Sequence, residues 1–275
     1  MKYTTVARLG RSVIVSLMAL GCYVAAPQAS PVAVVNAGFE DTSGQSVFNE
    51  FTLGQPAGWN FHNPTGLIGS LGTFTGTLQP NGSDFFNTTA PEGSKVSILF
   101  NSERQGEGEY GYVQTLAATL QADTTYALTV QVGNIASGTA QNGAFFDLDG
   151  FPGYRVDLLA GNTVIAQDLN TLAMAEGEFA LSTVSISIGA VHAQLGQALG
   201  IRLVNLNVIP DGYTQATSPD LEVDFDDVSL SATTVPEPAT GLSLGLGGGV
   251  GLLIQCLAKR RRLRRLTAAA GAERH

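Results

Sequence analysis

The central part of this 275-residue chain contains no cysteine. The two cysteines of the sequence, Cys22 and Cys256, lie in apolar segments close to either end. Disulfide bonds and cysteine-based metal sites are therefore excluded from the residues between them. A stretch of about 200 residues is long enough to bury a stable apolar core without such cross-links.

Basic residues are almost as scarce in this central part. Between residues 31 and 235 there are 21 acidic residues against four basic ones. An acidic surface of this kind repels phosphate backbones, so we expect no binding to nucleic acid. The excess negative charge serves solubility alone or attracts divalent cations, and the sequence leaves both alternatives open.

Motifs typical of several enzyme classes are also missing. The sequence contains no Gly-x-Ser-x-Gly motif and no phosphate-binding loop, and His62 and His192 are isolated from other metal-ligating residues. We therefore predict a protein that is not an enzyme and has no catalytic residues. A secreted glycan-active hydrolase is the alternative, because paired carboxylates suffice for that chemistry and acidic residues are plentiful.

The N-terminus has the features of a secretory signal peptide. Three basic residues precede an apolar run at 12–26, and small residues follow it. We predict a signal peptide over 1–30, with the Sec translocon and signal peptidase as partners. Residues 19–22 also resemble a lipobox, which leaves open a lipidated Cys22 as the first mature residue.

The C-terminal segment, residues 235–265, combines three features in a fixed order. A short motif comes first, an apolar stretch of 20 residues follows, and a basic cluster ends the segment before a tail at 266–275. Twenty helical residues span about 30 Å, the thickness of a bilayer core, and the basic cluster would stay cytoplasmic. The motif consists of Val235, Pro236, Glu237 and Pro238.

This arrangement resembles the PEP-CTERM sorting signal of Gram-negative bacteria. The resemblance implies an exosortase-type membrane protease as partner and cleavage near the Pro-Glu-Pro motif. It further implies transient anchoring in the inner membrane, followed by release to the cell surface or extracellular matrix. The alternative is a permanent C-terminal membrane anchor.

Between the two ends, residues 31–234 read as strands separated by turns. Apolar and polar residues alternate clearly at 125–132 and 184–188, and Gly161-Asn162 suits a hairpin turn. Nine or ten such segments occur, and none has a convincing helical stripe. We predict an all-β domain, an antiparallel β-sandwich of the jelly-roll type, flanked by the signal peptide and a C-terminal apolar helix.

Three short motifs resemble those of carbohydrate-binding jelly rolls with the galactose-binding-like fold. They are Asn-Ala-Gly-Phe-Glu at 36–40, Pro-Ala-Gly-Trp at 56–59 and Asp-Phe-Asp-Asp-Val-Ser-Leu at 224–230. The resemblance implies an exported, non-catalytic protein of the surface or exopolysaccharide matrix that binds extracellular polysaccharide. A purely structural matrix component is the alternative.

A row of acidic residues near the end of this domain predicts a calcium site. Glu222, Asp224 and Asp226 lie at a spacing of two, which places them on one face of a regular strand. Like charges this close repel unless they are solvated, protonated or bridged by a cation, and oxygen ligands suit Ca²⁺. A solvated acidic edge is the alternative. The predicted ligands of a structural calcium ion are Glu40, Asp224, Asp226 and Asp227.

One loop, residues 145–154, combines aromatic and acidic side chains. Sugars stack on aromatic rings and form hydrogen bonds with carboxylates, so this loop is a candidate glycan site. The alternative is a loop that covers one end of the sandwich. The candidate contacts are Phe146, Asp147, Asp149 and Tyr154.

Overall fold

The computed structural model describes residues 28–70 and 72–235. Most of the predicted signal peptide, up to residue 27, lies outside these residues. So do the C-terminal segment beyond Val235 and the tail, and export stays a prediction. Within the described ranges no helix is long and apolar enough to cross a membrane.

The described chain is built almost entirely from β-strands, and a short 3-10 turn, Ser102–Arg104, is the one helical element among them. In chain order the strands are β1 (Ala29–Val32), β2 (Ser46–Phe48), β3 (Phe51–Leu53), β4 (Asn60–His62), β5 (Thr73–Leu78), β6 (Val96–Asn101), β7 (Tyr110–Thr119), β8 (Thr124–Asn134), β9 (Gly138–Thr139), β10 (Phe145–Phe146), β11 (Tyr154–Ala160), β12 (Thr163–Leu169), β13 (Glu178–Ile188), β14 (Ala198–Asn205) and β15 (Leu221–Thr234).

The strands form two main antiparallel sheets, which confirms the predicted β-sandwich. The first sheet has eight strands in the order β13-β8-β15-β6-β5-β3-β2, with β1 paired to β15. The second has five strands in the order β12-β11-β14-β7-β4, and β9 pairs with β10 in a small ribbon. The last strand, β15, thus lies in the middle of the larger sheet rather than at its edge.

The alternating sequence patterns correspond to strands with one face in the core. Along β8, Tyr126, Leu128, Val130 and Val132 are buried and alternate with half-buried residues. The predicted hairpin at Gly161-Asn162 joins β11 to β12, and Gly161 has a φ of +59° as such a turn requires. Five strands, β2, β3, β4, β9 and β10, have only two or three residues each and fall in turn-rich stretches, so their sequences show no period-two pattern.

The principal core fills the space between the two sheets. Tyr112 of β7 links them, because its buried hydroxyl donates to the Ile98 carbonyl at 2.8 Å and accepts from the Gly76 amide at 3.0 Å. Gly76 is required there, since a Cβ at this position would lie 1.8 Å from the Thr52 carbonyl oxygen.

A second, smaller core lies on the outer face of the eight-stranded sheet. Ile98 and Phe100 of β6 face this side, and the loops 79–95 and 135–153 fold over them with Phe85, Phe86 and Leu148. All six residues of β6 are buried as a result. Side chains on the outer face of the neighbouring β15 are therefore covered as well.

Candidate active site

β15 carries the acidic row on its outer face, as its spacing predicts. Val223 and Phe225 point into the principal core, and Glu222, Asp224 and Asp226 alternate with them. The three carboxyl groups are almost fully buried, at 4%, 0% and 0% exposure. The alternative of a solvated acidic edge is therefore wrong, because β15 is a central strand that the loops over the second core cover.

Glu222 and Asp224 form a pair of buried carboxyl groups that interact with each other. Glu222 Oε1 and both oxygens of Asp224 have no hydrogen-bond partner in the described structure. Burial raises the pKa of Glu222 to about 8 and that of Asp224 well above its usual range, and the negative charge of Glu222 adds to the shift for Asp224. The pair therefore keeps a proton at neutral pH, which makes it a potential proton donor.

Asp226, the next acid along the strand, has a different environment. Its Oδ2 accepts a hydrogen bond from the Glu92 amide at 2.8 Å, and its Oδ1 accepts one from the Asp227 amide at 2.7 Å. Burial raises its pKa to about 7. These bonds attach the loop 79–95 to β15, so the role of Asp226 is to hold the cover over the carboxyl pair.

Glu222 borders an apolar cleft of about 250 Å³ on the outer face of the sheet. It is the one ionisable group among the described residues that line the cleft, and four aliphatic side chains and Asn142 complete the lining. A buried acid thus faces a space that accommodates an apolar ligand. Six phenylalanines form most of the wall: Phe48, Phe51, Phe74, Phe85, Phe100 and Phe146.

The cleft wall comes from segments that are far apart in sequence. The rings of Phe100 and Phe146 meet edge to face at 5.8 Å, and those of Phe51 and Phe85 do so at 5.7 Å. Glu50, in the turn between β2 and β3, accepts a hydrogen bond from the Gln141 amide at 2.7 Å. This bond joins the hairpin on one side of the cleft to the loop on the other.

A second, polar cavity of about 190 Å³ lies at the start of β15. Three acidic residues line it, Glu103, Asp147 and Asp220, together with Phe145, Ser218 and Pro219. The Asp220 amide donates to the Asp147 carbonyl at 2.7 Å, and Asp220 Oδ1 accepts from the Glu103 amide at 2.9 Å. Burial raises the pKa of Asp220.

The predicted calcium ligands do not form one group in the structure. Asp224 is buried against Glu222, whereas Glu40 is exposed and accepts hydrogen bonds from the Ser94 and Lys95 amides at 2.6 and 2.7 Å. Within residues 28–70 and 72–235, no three acidic, histidine or cysteine side chains are placed to hold a metal ion. Asp227 is exposed beside Asp226.

The predicted glycan contacts do not converge either. Phe146 lines the apolar cleft and Asp147 lines the polar cavity. Asp149 accepts a hydrogen bond from the Tyr213 hydroxyl at the surface. Tyr154 is fully buried in the principal core, where its hydroxyl donates to Asp168 at 2.6 Å.

A family model described as HpiC1-like, HpiC1 cyclase, matches residues 30–231. The chain belongs to this family of HpiC1-like cyclases. The match covers the whole described sandwich apart from its first and last few residues. No curated protein sequence matches the chain.

Solved structures of cyclases from Fischerella resemble this chain throughout the sandwich. The Stig cyclase Fisc from Fischerella sp. TAU, in complex with (3Z)-3-(1-methyl-2-pyrrolidinylidene)-3H-indole, is 36% identical, with 76% of this chain and all of that chain covered and a TM-score of 0.63. The apo form of a cyclase from Fischerella sp. is 37% identical over 76% of this chain and 98% of that chain, with a TM-score of 0.64. A Fischerella sp. TAU cyclase in complex with 4-(1H-indol-3-yl)butan-2-one is 36% identical over 75% and 99%, with a TM-score of 0.63.

These findings correct the identification of the chain as a PEP-CTERM matrix protein with a carbohydrate-binding ectodomain. The expectation of a non-catalytic protein is wrong for the same reason, because the matching family is one of cyclases. The misleading motifs form packing contacts: Phe39 stacks on Trp59 at 5.3 Å, and the Trp59 indole donates to the Asn36 carbonyl at 3.1 Å. They are features of the jelly-roll core, which proteins of different function share.

The cleft phenylalanines are the site residues that the sequence motifs did not reveal. Six phenylalanines occur between residues 41 and 91, in a stretch with few other features of a core strand: Phe48, Phe51, Phe61, Phe74, Phe85 and Phe86. Four of them line the cleft. Aromatic residues concentrated in a turn-rich segment were therefore the available signal for an apolar binding site.

The raised pKa of Glu222 predicts how stability depends on pH. The folded protein retains this proton up to about pH 8, whereas an unfolded glutamate loses it near pH 4.5. The stabilisation is therefore complete below pH 4.5 and is lost as the pH rises towards 8. We expect the melting temperature to fall from pH 5 to pH 8.5, and to fall less in Glu222→Gln.

The matched control is Glu178→Gln, which changes an exposed glutamate at the start of β13. This variant should follow the wild-type curve at every pH in thermal melts. A Glu222→Gln curve parallel to that of the wild type would contradict the raised pKa.

Proposed function

We propose that this protein is a cyclase that binds an apolar, indole-bearing substrate in the phenylalanine cleft and starts ring closure by protonating it. The observation that carries the proposal is the position of a buried carboxyl pair at the edge of an apolar aromatic cleft. Glu222 is the donor because it borders the cleft, and Asp224 is the second buried acid of the pair, whose pKa the charge of Glu222 raises further.

The nature of the cleft supports an aromatic substrate. Planar rings pack favourably against phenylalanine in stacked or edge-to-face arrangements. The Fischerella structures at 36% identity contain indole ligands. A cleft with six phenylalanines accommodates the ring system of such a ligand. The polar side chains in its lining are those of Glu222 and Asn142.

Protonation of a substrate double bond by Glu222 leaves a carbocation on the substrate and a carboxylate on the pair. The carboxylate and the faces of the phenylalanine rings stabilise the positive charge, and the apolar lining keeps water away from it. A second double bond of the substrate then attacks the cation and forms the new ring bond. Loss of a proton from the cyclised cation to the carboxylate regenerates the acid, so the overall reaction is an isomerisation.

The proposal predicts that the protein catalyses proton exchange on a simple indole. With 2-methylindole in D₂O, the wild-type protein should accelerate replacement of the C3 hydrogen by deuterium, which proton NMR measures. Glu222→Gln and Asp224→Asn should lower the rate about 100-fold or more, because general acids typically contribute at least that much.

Binding of 4-(1H-indol-3-yl)butan-2-one, measured by calorimetry, separates the role of the acid from that of the cleft. Phe146→Ala should weaken binding, Glu222→Gln should leave it nearly intact, and the surface variant Glu178→Gln should change neither binding nor exchange. Unchanged exchange in both Glu222→Gln and Asp224→Asn would refute the proposed function.

We also propose that a structural calcium ion binds near Glu40 and Asp227, away from the carboxyl pair. Both residues are exposed, and the Val228 amide donates to the Ala37 carbonyl at 3.1 Å, which joins the two segments that carry them. Backbone carbonyl oxygens would have to complete the ligand set, as Ca²⁺ readily accepts. The ion would stabilise the contact between the segments that carry Glu40 and Asp227, and it would take no part in the chemistry.

Calcium should therefore raise the melting temperature, and EDTA should reverse the rise. Glu40→Gln should reduce the response, whereas Glu178→Gln should retain it. A melting temperature that is the same in calcium and in EDTA would contradict the calcium site.

A further inference from the structure

Asn142 is the one polar side chain besides Glu222 among the described residues that line the apolar cleft. It lies in the turn 140–144 that joins β9 to β10, and it is exposed, whereas Glu222 on β15 is 4% exposed. The cleft therefore has a buried acid on the sheet and a side-chain amide near its opening to solvent. A ligand in the cleft meets both groups, and the proposed chemistry gives a role to Glu222 alone.

The turn determines which end of the Asn142 amide group is available to a ligand. Asn142 Oδ1 accepts a hydrogen bond from the Ala144 amide at 2.9 Å. Because a backbone N–H donates to the oxygen of a side-chain amide and not to its nitrogen, this bond assigns the oxygen to the turn. Within residues 28–70 and 72–235, the Nδ2 group of Asn142 donates to no protein acceptor. Its two N–H groups are therefore available to a bound molecule.

Two further bonds hold this turn in position beside the cleft. The Ala140 amide donates to the Ala144 carbonyl at 2.9 Å, which closes the turn. The Gln141 amide donates to Glu50 Oε1 at 2.7 Å, which joins the turn to the hairpin on the other side of the cleft. Asn142 thus stands between two anchored residues, and a group that selects or orients a ligand needs such support.

The charge of the protein restricts what the Nδ2 group can bind. Residues 31–235 contain 21 acidic residues against four basic ones, and Glu222 borders the same cleft, so an anionic ligand would be repelled. A protonated amine has no lone pair with which to accept a hydrogen bond. A neutral acceptor, such as a carbonyl oxygen or an imine nitrogen, is therefore the group that suits Asn142.

We propose that Asn142 determines specificity by donating a hydrogen bond from Nδ2 to a neutral acceptor on the side chain of the indole-bearing substrate. The bond holds the acceptor near the opening of the cleft and leaves the reactive double bond to Glu222. Asn142 thereby favours indoles that carry such an acceptor over purely hydrocarbon-substituted ones, and it takes no part in proton transfer. This inference rests on the proposed function of the cleft.

The test compares two ligands that differ in one acceptor. 4-(1H-Indol-3-yl)butan-2-one carries a ketone, and 3-butylindole has the same carbon chain without it. Calorimetry gives the Kd of each ligand, and their ratio measures the preference for the ketone. In Asn142→Asp and Asn142→Ala this preference should fall about fivefold, which is the usual contribution of a neutral hydrogen bond, because the ketone alone loses its donor.

The two variants separate the donor from the turn. Asn142→Asp retains an oxygen for the Ala144 amide and removes the donor, whereas Asn142→Ala removes both and adds no charge. A merely structural role of Asn142 would weaken both ligands equally, or would leave Asn142→Asp like the wild type. The surface variant Glu178→Gln should keep the wild-type preference.

The outcomes distinguish this inference from the function on which it rests. If the wild type binds both indoles and Glu222→Gln loses proton exchange, an unchanged preference in either Asn142 variant means that Asn142 does not select the acceptor, and the proposed function stands. A wild-type protein that binds neither indole, or a Glu222→Gln variant that still exchanges protons, would overturn the proposed function and the role of Asn142 with it.

Discussion

The burial of two carboxyl groups against each other is the constraint on which the site depends. Taking an acid out of water disfavours its charged form, and a second acid in contact disfavours it further. The pair Glu222 and Asp224 therefore retains a proton at a pH at which exposed acids have lost theirs. Such an arrangement costs stability, and the principal core between the two sheets offsets that cost.

The jelly roll positions this pair by means of strand order. β15 lies between β8 and β6, so its outer face is central, and the second core covers it. Asp226 attaches one covering loop through the Glu92 amide, and Glu50 joins the β2–β3 hairpin to the other through the Gln141 amide. The cover leaves an apolar cleft bordered by Glu222 and a polar cavity lined by Asp220.

The sequence predicted the sandwich and the shared face of the acidic row, because a period of two determines which side chains lie together. It did not predict that these acidic side chains are buried. Their burial depends on the central position of β15 in the sheet and on the loops of the second core that cover its outer face. Repulsion among Glu222, Asp224 and Asp226 allowed solvation, protonation or a bridging cation. Burial favours protonation for Glu222 and Asp224, because it disfavours the charged form of each carboxyl group. The motifs around Phe39 and Trp59 resembled those of a carbohydrate-binding family because their residues pack in a jelly-roll core, which proteins of different function share. The cleft wall comes from segments that are distant in sequence and share no motif.

The central claim is that the Glu222–Asp224 pair is protonated in the folded protein at neutral pH. Infrared difference spectra between the wild type and Asp224→Asn or Glu222→Gln at pH 7 test it directly, because a protonated carboxyl group absorbs separately from a carboxylate. The account predicts a carboxylic acid band in the wild type that either substitution removes or shifts and that disappears only at alkaline pH. A wild-type spectrum at pH 7 in which both groups are carboxylates would contradict it.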